Sequence, residues 1–339
     1  MGGIGVILNP RSSRNIRDPR AALRLARTLG DHGVVRTARS RDDLARIAAD
    51  FRKLQIDVLG ISGGDGTNYV TITGFLDVYA DEPLPPLAFL RGGTFNTVAN
   101  SVGVPRGAPD GLLARLIRRY AQRAREPLHW VERHVMRIGD HYGFIVGTGA
   151  IYGFISEYNK GEERNTRWAA EVLLRASTRV ALGEPTPVAE RWTGRVTLDD
   201  GDVFPDRDYL AVGAGTVDQI GLGFTPFYQS SAVPGFFHIL GIHMSAWSFV
   251  RQLPNVWRGR PMGPEHTYDR LAQRAVIEGR DGVVRYMCDG DVHDHPGPLT
   301  LETGPRVRIL VEHKEGLRPF NGAASRFIPP FWPSGHGKG

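Results

Sequence analysis

The chain has 339 residues, 41% apolar and 23% charged, with a net charge of +6. That composition suits a soluble or at most peripheral protein with room for two cores, and it excludes an integral membrane protein. The positive balance favours an anionic partner (nucleotide, nucleic acid or acidic headgroup) without choosing among them, or reflects only a solvated surface.

In chain order, residues 4–8 form an apolar first strand, followed by Asn9-Pro10-Arg11-Ser12-Ser13-Arg14-Asn15, a small polar and basic loop able to face a phosphate. Asp18-Pro19 supplies an N-cap and first-turn proline for a helix carrying Ala22, Leu25, Ala26 and Leu29 at helical spacing. Residues 34–37 are a short strand ending at Thr37. Ser40 to Asp43 resembles a capping box, opening a helix whose inner face is Leu44, Ile47, Ala48 and Phe51. Residues 57–62 are a buried strand that runs into Gly63-Gly64-Asp65-Gly66-Thr67.

Glycines there let the backbone approach a ligand, and successive N–H groups before a helix form an anion site. Asp65 is placed to hold Mg²⁺ against phosphate oxygens, directly or through water, and Thr67 to donate a hydroxyl. A tight turn with a capping Asp would look the same. The lysine and spacing of a Walker A loop are absent. A helix over about 67–80 and a strand over 87–90 follow, then Arg91-Gly92-Gly93-Thr94-Phe95-Asn96-Thr97, a second glycine loop opening a helix. Asp110 to Ala124 is a further helix. Alternating strands and helices predict a parallel sheet covered on both faces, with ligands beyond the strands' carboxyl ends. Asn9, Thr37, Gly63–Thr67 and Gly93-Thr94 all fall at those ends.

After Glu126-Pro127 the pattern changes to short β-rich segments (128–137, 141–148, 192–199, 207–213, 275–280, 283–288) punctuated by turns such as Asp200-Gly201, predicting an antiparallel sandwich or barrel. A helix over 162–182 interrupts them, with Arg164, Arg167, Arg175 and Arg179 outside its apolar stripe. It is a lipid-facing amphipathic element or, as we favour, a packed helix with a solvated basic face. Cys288-Asp289-Gly290-Asp291 ends a strand with two carboxylates, a candidate general base and its electrostatic partner. His293, Asp294 and His295 offer metal donors, but a polar Pro-rich loop explains them equally. Cys288 is the single cysteine, which excludes an internal disulfide and fits a reducing compartment. No secretory signal is visible, and 236–250 is too short to span a bilayer. Beyond Pro319 the tail, with Phe327, Phe331 and Trp332 among prolines, has no periodicity and is expected to be disordered or to lie against a membrane interface.

The Gly63–Thr67 loop matches the GGDGT signature shared by the diacylglycerol kinase, sphingosine kinase and NAD kinase families. Gly93, Thr94, Asn96 and Ala99 resemble the G-T-x-N-x-x-A motif of diacylglycerol kinase catalytic domains, and Asn9-Pro10 to Ser13 resembles their first NP-x-S-G loop. Asp289-Gly290-Asp291 resembles the D-G-E motif, with Asp291 where the proton-accepting Glu is expected. Departures are Arg91, Asn68, Thr97 and Ser13, together with Val233, Pro234 and His238, which stand where bacterial members place the acidic residues of a structural magnesium site. That site is expected to be absent.

The resemblance, which covers residues 4 to about 315, implies an α/β nucleotide-binding domain with an NAD-kinase/phosphofructokinase-like parallel sheet (1–127), a mainly antiparallel β-sandwich lipid domain (128–318) and a tail (319–339). It implies a lipid kinase using ATP and Mg²⁺, with nucleotide contacts at Asn9, Ser13, Thr37, Gly63, Gly64, Asp65, Gly66, Thr67, Gly93, Thr94 and Asn96. Asp65 is the metal ligand and Asp289 and Asp291 are the catalytic carboxylates. A membrane lipid as substrate, peripheral contact with the inner face of the membrane from the cytoplasm, no nucleic acid partner, and a homodimer left open complete the expectation. The rivals are an NAD kinase and an inactive nucleotide- or lipid-binding sensor.

Overall fold

The computed structural model describes residues 2–199 and 201–312. The first half runs β1 (Ile4–Leu8), α1 (Ser13–Ile16), α2 (Ala21–Leu29), β2 (Gly33–Thr37), α3 (Arg41–Leu54), β3 (Val58–Ser62), α4 (Asp65–Tyr79), β4 (Leu87–Phe89), α5 (Thr97–Ser101) and α6 (Pro109–Ala121). The second runs β5 (His129–Ile138), β6 (His141–Gly143), β7 (Ile145–Gly147), α7 (Ala150–Asn159), α8 (Thr166–Ala181), β8 (Trp192–Leu198), β9 (Val203–Tyr209), β10 (Ala211–Gly215) and β11 (Phe237–Ile242). It ends with α9 (Ala246–Trp257), β12 (Thr267–Ala272), β13 (Arg274–Gly279), β14 (Val283–Cys288), β15 (Asp291–Pro296) and β16 (Leu299–Val311).

Strands β1 and β3 are buried at every position and apolar except for Ser62 at the end of β3, as strands covered on both faces must be. They pair in parallel with each other, with β2 outside β1 and β4 outside β3. Helices α2 and α6 pack on one face, where Leu25, Leu29, Leu112 and Leu113 meet Ile4 and Val6. Phe51, Ile72 and Phe75 from α3 and α4 cover the other face. The Ser40 hydroxyl accepts from Asp43 N at 3.1 Å, so the expected cap of α3 forms.

The predicted fold class holds: a parallel α/β layer is joined to an antiparallel sandwich. What sequence patterning missed is how they join. Strand β16 pairs in parallel with β4 at Ile309↔Leu87 and antiparallel with β5 and β13. Among the described residues, one ten-stranded sheet therefore passes from the parallel layer into the sandwich, in the order β2-β1-β3-β4-β16-β13-β8-β9, with β5 paired to β16 and β6 to β5. Gly304-Pro305 sits where the β5–β16 register shifts, between Thr303 and Arg306, because proline has no N–H for the ladder. The facing sheet has the order β12-β11-β10-β7-β14-β15. Val196, Ile277 and Leu301 of the first sheet and Val212, Ile239 and Val284 of the second fill the space between.

Other expectations are corrected. Ser13 opens the short α1 rather than an open loop. Asp18 does not cap the next helix; its carboxylate accepts from Arg20 N at 3.2 Å and α2 begins at Ala21. The segment read as one strand over 207–213 breaks at Leu210, and its halves, β9 and β10, belong to different sheets. Helices α7 and α9 and strands β11, β12, β15 and β16 were not anticipated. Asp200 and the tail from residue 313, including Phe327, Phe331 and Trp332, lie outside the described residues.

Candidate active site

Two cavities meet where the α/β layer faces the sandwich. The first is a polar cleft of about 560 Å³, and its α/β wall comes from the segments following β1 (Asn9 to Ser13), β2 (Ala38 to Arg41) and β4 (Gly93 to Phe95) and from the first turn of α4. The sandwich half contributes Tyr158, Arg164 and Asp289 to Asp291. Arg11, Arg17, Arg39, Arg41 and Arg164 line it together with Asp65, Glu162, Asp289 and Asp291, so cationic groups for an anion stand beside carboxylates.

Helix α4 starts at Asp65, so the expected boundary moves two residues and Asp65, Gly66 and Thr67 are its first turn. Gly64 and Gly93 are needed because the two glycine loops touch backbone to backbone: a Cβ on Gly93 would lie 2.2 Å from Gly64 Cα. A Cβ on Gly63 would meet the Thr67 side chain at 2.3 Å. These glycines therefore serve loop-to-loop contact. Asn9 Nδ2 donates to Thr67 Oγ1 at 2.9 Å, which leaves the Thr67 hydroxyl proton free to donate. Asn15, which sequence reasoning passed over, ties the ends of β1 and β3 by donating to the carbonyls of Asn9 (2.8 Å) and Ser62 (3.1 Å). Thr94 donates to the Arg164 carbonyl at 2.7 Å and lies 3.3 Å from the Ser13 hydroxyl, joining three segments over the cleft.

Asp65 is not a free carboxylate. Its oxygens accept from Thr97 N (2.9 Å) and Val98 N (3.3 Å), capping α5, and burial raises its pKa. Asp289 is likewise embedded. It adopts a positive φ of 45° and accepts from Phe144 N and Ile145 N, both at 2.9 Å. Burial, with the charges of Asp65 and Asp291 nearby, pushes its carboxyl well above the usual range against those two bonds. Asp291, at the start of β15, is exposed at the cleft, and a Cβ on Gly66 would come 3.1 Å from its Oδ2. The three acids thus divide the work: Asp65 and Asp289 brace backbone, and Asp291 presents its carboxylate beside the glycine loop, close to the Tyr69 hydroxyl.

Three of the expected contacts do not line the cleft. Thr37 stays in the β2 ladder opposite Leu8, and Ala38 to Arg41 take its place. Gly63 lies behind Thr67. Asn96 folds onto its own loop, exchanging hydrogen bonds with Gly93 N (3.2 Å) and Gly93 O (2.8 Å) from a left-handed backbone. Arg91, a departure from the resembled family, is buried and donates to Asn100 Oδ1 at 2.7 Å and to the Val104 carbonyl. Burial lowers its pKa to about 10, with the charge of Asp65 opposing the shift.

His293 and His295 lie in strand β15, not in a loop. His293 Nε2 is 3.3 Å from the Tyr69 hydroxyl, and its ring packs on His141 and Tyr286. At the segment where an acidic metal site was expected to be missing, buried His238 pairs with Asp269 at 2.7 Å, and Tyr228 donates to the same carboxylate. Against burial, which raises it, these bonds hold Asp269 below its ordinary pKa. Among the described residues no group of three or more His, Cys, Asp or Glu is placed to hold a metal ion. Magnesium needs fewer protein ligands, because phosphates and water complete its shell. The lone pairs that Thr97 N and Val98 N leave open on Asp65, a hard oxygen donor beside the glycine loop, fit such an ion directly or through water.

The second cavity, of about 190 Å³, is almost wholly apolar. Ile151, Phe154 and Ile155 of α7, Leu173 of α8, and Phe249, Leu253 and Val256 of α9 line it. The i, i+3, i+4 spacing of Ile151, Phe154 and Ile155 was the available signal, obscured by Gly149 and Gly153. Both cavities share Asp65, Phe95, Ile155, Asp289 and Gly290 as lining. Among the described residues no helix is long and apolar enough to cross a membrane.

Comparison with known proteins agrees with this geometry. Residues 3–126 match the family model of the diacylglycerol kinase catalytic domain, bearing out the resemblance carried by the two glycine loops. A relative named probable lipid kinase YegS, from Shigella flexneri, is 35% identical over 107 residues, which span 32% of this chain and 35% of that protein. The same-named protein of Escherichia coli O157:H7 matches equally. The matched stretch thus covers about a third of these relatives. A crystal structure of a diacylglycerol kinase from Bacillus anthracis superposes with a TM-score of 0.60 at 17% identity, covering 91% of this chain and 96% of the other. A second structure from that organism gives a TM-score of 0.63 at 16% identity. At such identity the shared property is the two-part fold.

Proposed function

We propose that this protein is a lipid kinase that transfers the γ-phosphate of ATP to a hydroxyl group of a membrane lipid. The observation that carries the reading is the shared wall: an arginine-lined cleft behind a glycine loop and a wholly different, apolar cavity meet at the same aspartates. A soluble acceptor such as NAD would have no use for the second cavity, which suits acyl or sphingoid chains.

In this reading the phosphates rest on the N-terminal turn of α4 and on the Thr67 hydroxyl, which Asn9 orients. The cleft arginines neutralise charge on the phosphates. Asp65 would hold Mg²⁺, directly or through water, and the ion when bound supplies charge neutralisation to the transferring phosphoryl group. Asp291 accepts the proton of the lipid hydroxyl as that oxygen attacks. Asp289 holds the turn before β7 in place through Phe144 N and Ile145 N, and so fixes the strand from which Asp291 projects. Positioning and charge supply most of the rate, because phosphoryl transfer asks little covalent chemistry of the protein. An aspartate in place of a glutamate is compatible with this role because Gly66 lets the loop come within van der Waals contact of Asp291.

The test is transfer of labelled phosphate from ATP and Mg²⁺ to a total-lipid extract, with Asp291→Ala in parallel. A labelled lipid formed by the parent and reduced by at least about 100-fold in the variant is the expected result, in line with loss of a general base. Label appearing on NAD and on no lipid would replace this reading with the soluble-kinase one. Nucleotide binding without transfer to any acceptor would leave a sensor.

A further inference from the structure

Helices α8 and α9 pack against each other and together roof the apolar cavity, lining it with Leu173 from the first and Phe249, Leu253 and Val256 from the second. A helix that buries one side is expected to be polar on the other. Here large apolar side chains share that outer side with arginines. On α8 and its C-cap, Leu174 and Leu182 are 67% and 69% exposed, and on α9 Trp247 and Trp257 are 49% and 56% exposed. Four large apolar side chains displayed on one helix pair exceed the scattered exposure that an ordinary surface tolerates.

The charge around them is one-sided. From Phe236 to Pro264 the sequence holds Arg251, Arg258 and Arg260 and no aspartate or glutamate. Trp247, Arg251, Pro254 and Trp257 follow one another along the exposed side of α9. On α8, Arg175 and Arg179 pair with Glu171 and Glu184. Among the described residues, Arg167, Arg251, Arg258 and Arg260 have no carboxylate within ion-pair distance. Indole rings and arginines alternating on the outer side of a helix suit the headgroup region of a bilayer, where the ring bodies enter the acyl boundary and the cations meet anionic phosphates. A second copy of this face would bring unpaired arginines together, which disfavours self-association here.

We propose that the outer face of α8 and α9 seats the protein on an anionic lipid bilayer, so that the acceptor lipid reaches the apolar cavity between these two helices without entering bulk water. The docking surface is read from exposure and charge alone, while the passage of the acceptor rests on the lipid kinase reading above. The cavity lies immediately beneath the seated face and ends at Asp65 and Asp289, so a chain entering from the bilayer would bring its hydroxyl end to the phosphate cleft.

The full-length protein is sedimented with vesicles of phosphatidylcholine, with and without phosphatidylglycerol, at low and high salt. The parent is expected to bind the phosphatidylglycerol vesicles and to lose binding as salt rises. The combined variant Leu174→Ser, Leu182→Ser, Trp247→Ser, Trp257→Ser is expected to bind at least about tenfold more weakly, from lost apolar insertion. The combined variant Arg251→Gln, Arg258→Gln, Arg260→Gln is expected to lose the preference for the anionic vesicles. Circular dichroism and the thermal midpoint, measured on each variant, separate docking from folding. Kinase activity on acceptor dispersed in detergent is expected to persist in both variants while activity on vesicles falls.

Vesicle binding that the four-residue variant retains in full, or a parent that binds neither vesicle, overturns the docking surface whatever the enzyme phosphorylates. A dimer abolished by the same variant, without vesicle binding, also overturns it and assigns the face to a second copy. Docking that depends on these residues in a protein that phosphorylates no lipid leaves the surface standing and removes the kinase reading instead.

Discussion

His293 shows how much of the site's behaviour is set by single neighbours. Burial first, and then the positive charge available on His141, lowers its pKa from the usual 6.5, while the carboxylates of Asp291 and Asp140 oppose the shift and Arg41 reinforces it. Neutral His293 can accept from the Tyr69 hydroxyl, whose own pKa burial and Asp291 raise. Between the lowered value and 6.5 the unfolded chain holds more protons at this position than the folded one, so stability rises with pH across that window. The contribution is present above 6.5 and is lost as pH falls through it. His243 is shifted the same way, mainly by burial, so the slope must be assigned by substitution. The thermal midpoint of the parent is expected to drop on acidification below about pH 6.5, and the drop to be smaller in His293→Gln. Equal slopes in the two proteins would show that His293 stays protonated to the same extent folded and unfolded.

At the scale of elements, the two glycine loops are one device. Gly93 meets Gly64 through backbone, which has nowhere to move, whereas the atom that faces Gly66 is the end of a single exposed side chain, Asp291. These glycines therefore fail differently. Gly93→Ala is expected to part the loops, release the Asp65 cap on Thr97 N and Val98 N, lower the thermal midpoint and abolish nucleotide binding; each released bond costs roughly 0.5–1.5 kcal/mol. Gly66→Ala is expected to leave folding and nucleotide binding nearly intact and to reduce turnover, because only Asp291 is displaced. Calorimetry beside a nucleotide titration checks both, and equal loss of stability in the two variants would argue against a backbone contact between the loops. The GGDGT pattern was legible as a tight strand-to-helix turn because its chemistry is local. That its aspartate would be spent on the neighbouring loop was not, since Thr97 and Val98 lie 32 and 33 residues away.

For the whole molecule, β16 is the decisive strand. It is the last strand of the described chain, yet it lies between β4 of the parallel layer and β13 of the sandwich, with β5 also paired to it. The largest core cluster runs from Ile7 to Val311 and includes side chains of both halves. A change of composition near residue 127 is real in the sequence, but hydrogen bonds and packing continue across it. One cooperative calorimetric transition is expected for the full chain. A fragment ending at residue 127 is expected to aggregate, because it exposes the edge of β4 that β16 covers. Two separated transitions, or a soluble, cooperatively folding fragment, would show that the halves are independent.

The sequence by itself determined the alternation of buried strands and amphipathic helices, the two glycine loops, the paired aspartates after Cys288 and the family they resemble. All of these are written in periods and spacings of a few residues, which local physics reads directly. Tertiary structure alone decided that Thr37 stays in a ladder while Ala38 to Arg41 face the cleft, that Asn96 and Arg91 brace loops, and that Asp65 and Asp289 are committed to backbone while Asp291 is not. It also made the apolar cavity, from helices about a hundred residues apart in the chain, and left large apolar side chains beside arginines on the outer sides of α8 and α9. A helical period shows which residues share a face, but what that face meets depends on contacts distant in sequence, which no local pattern encodes.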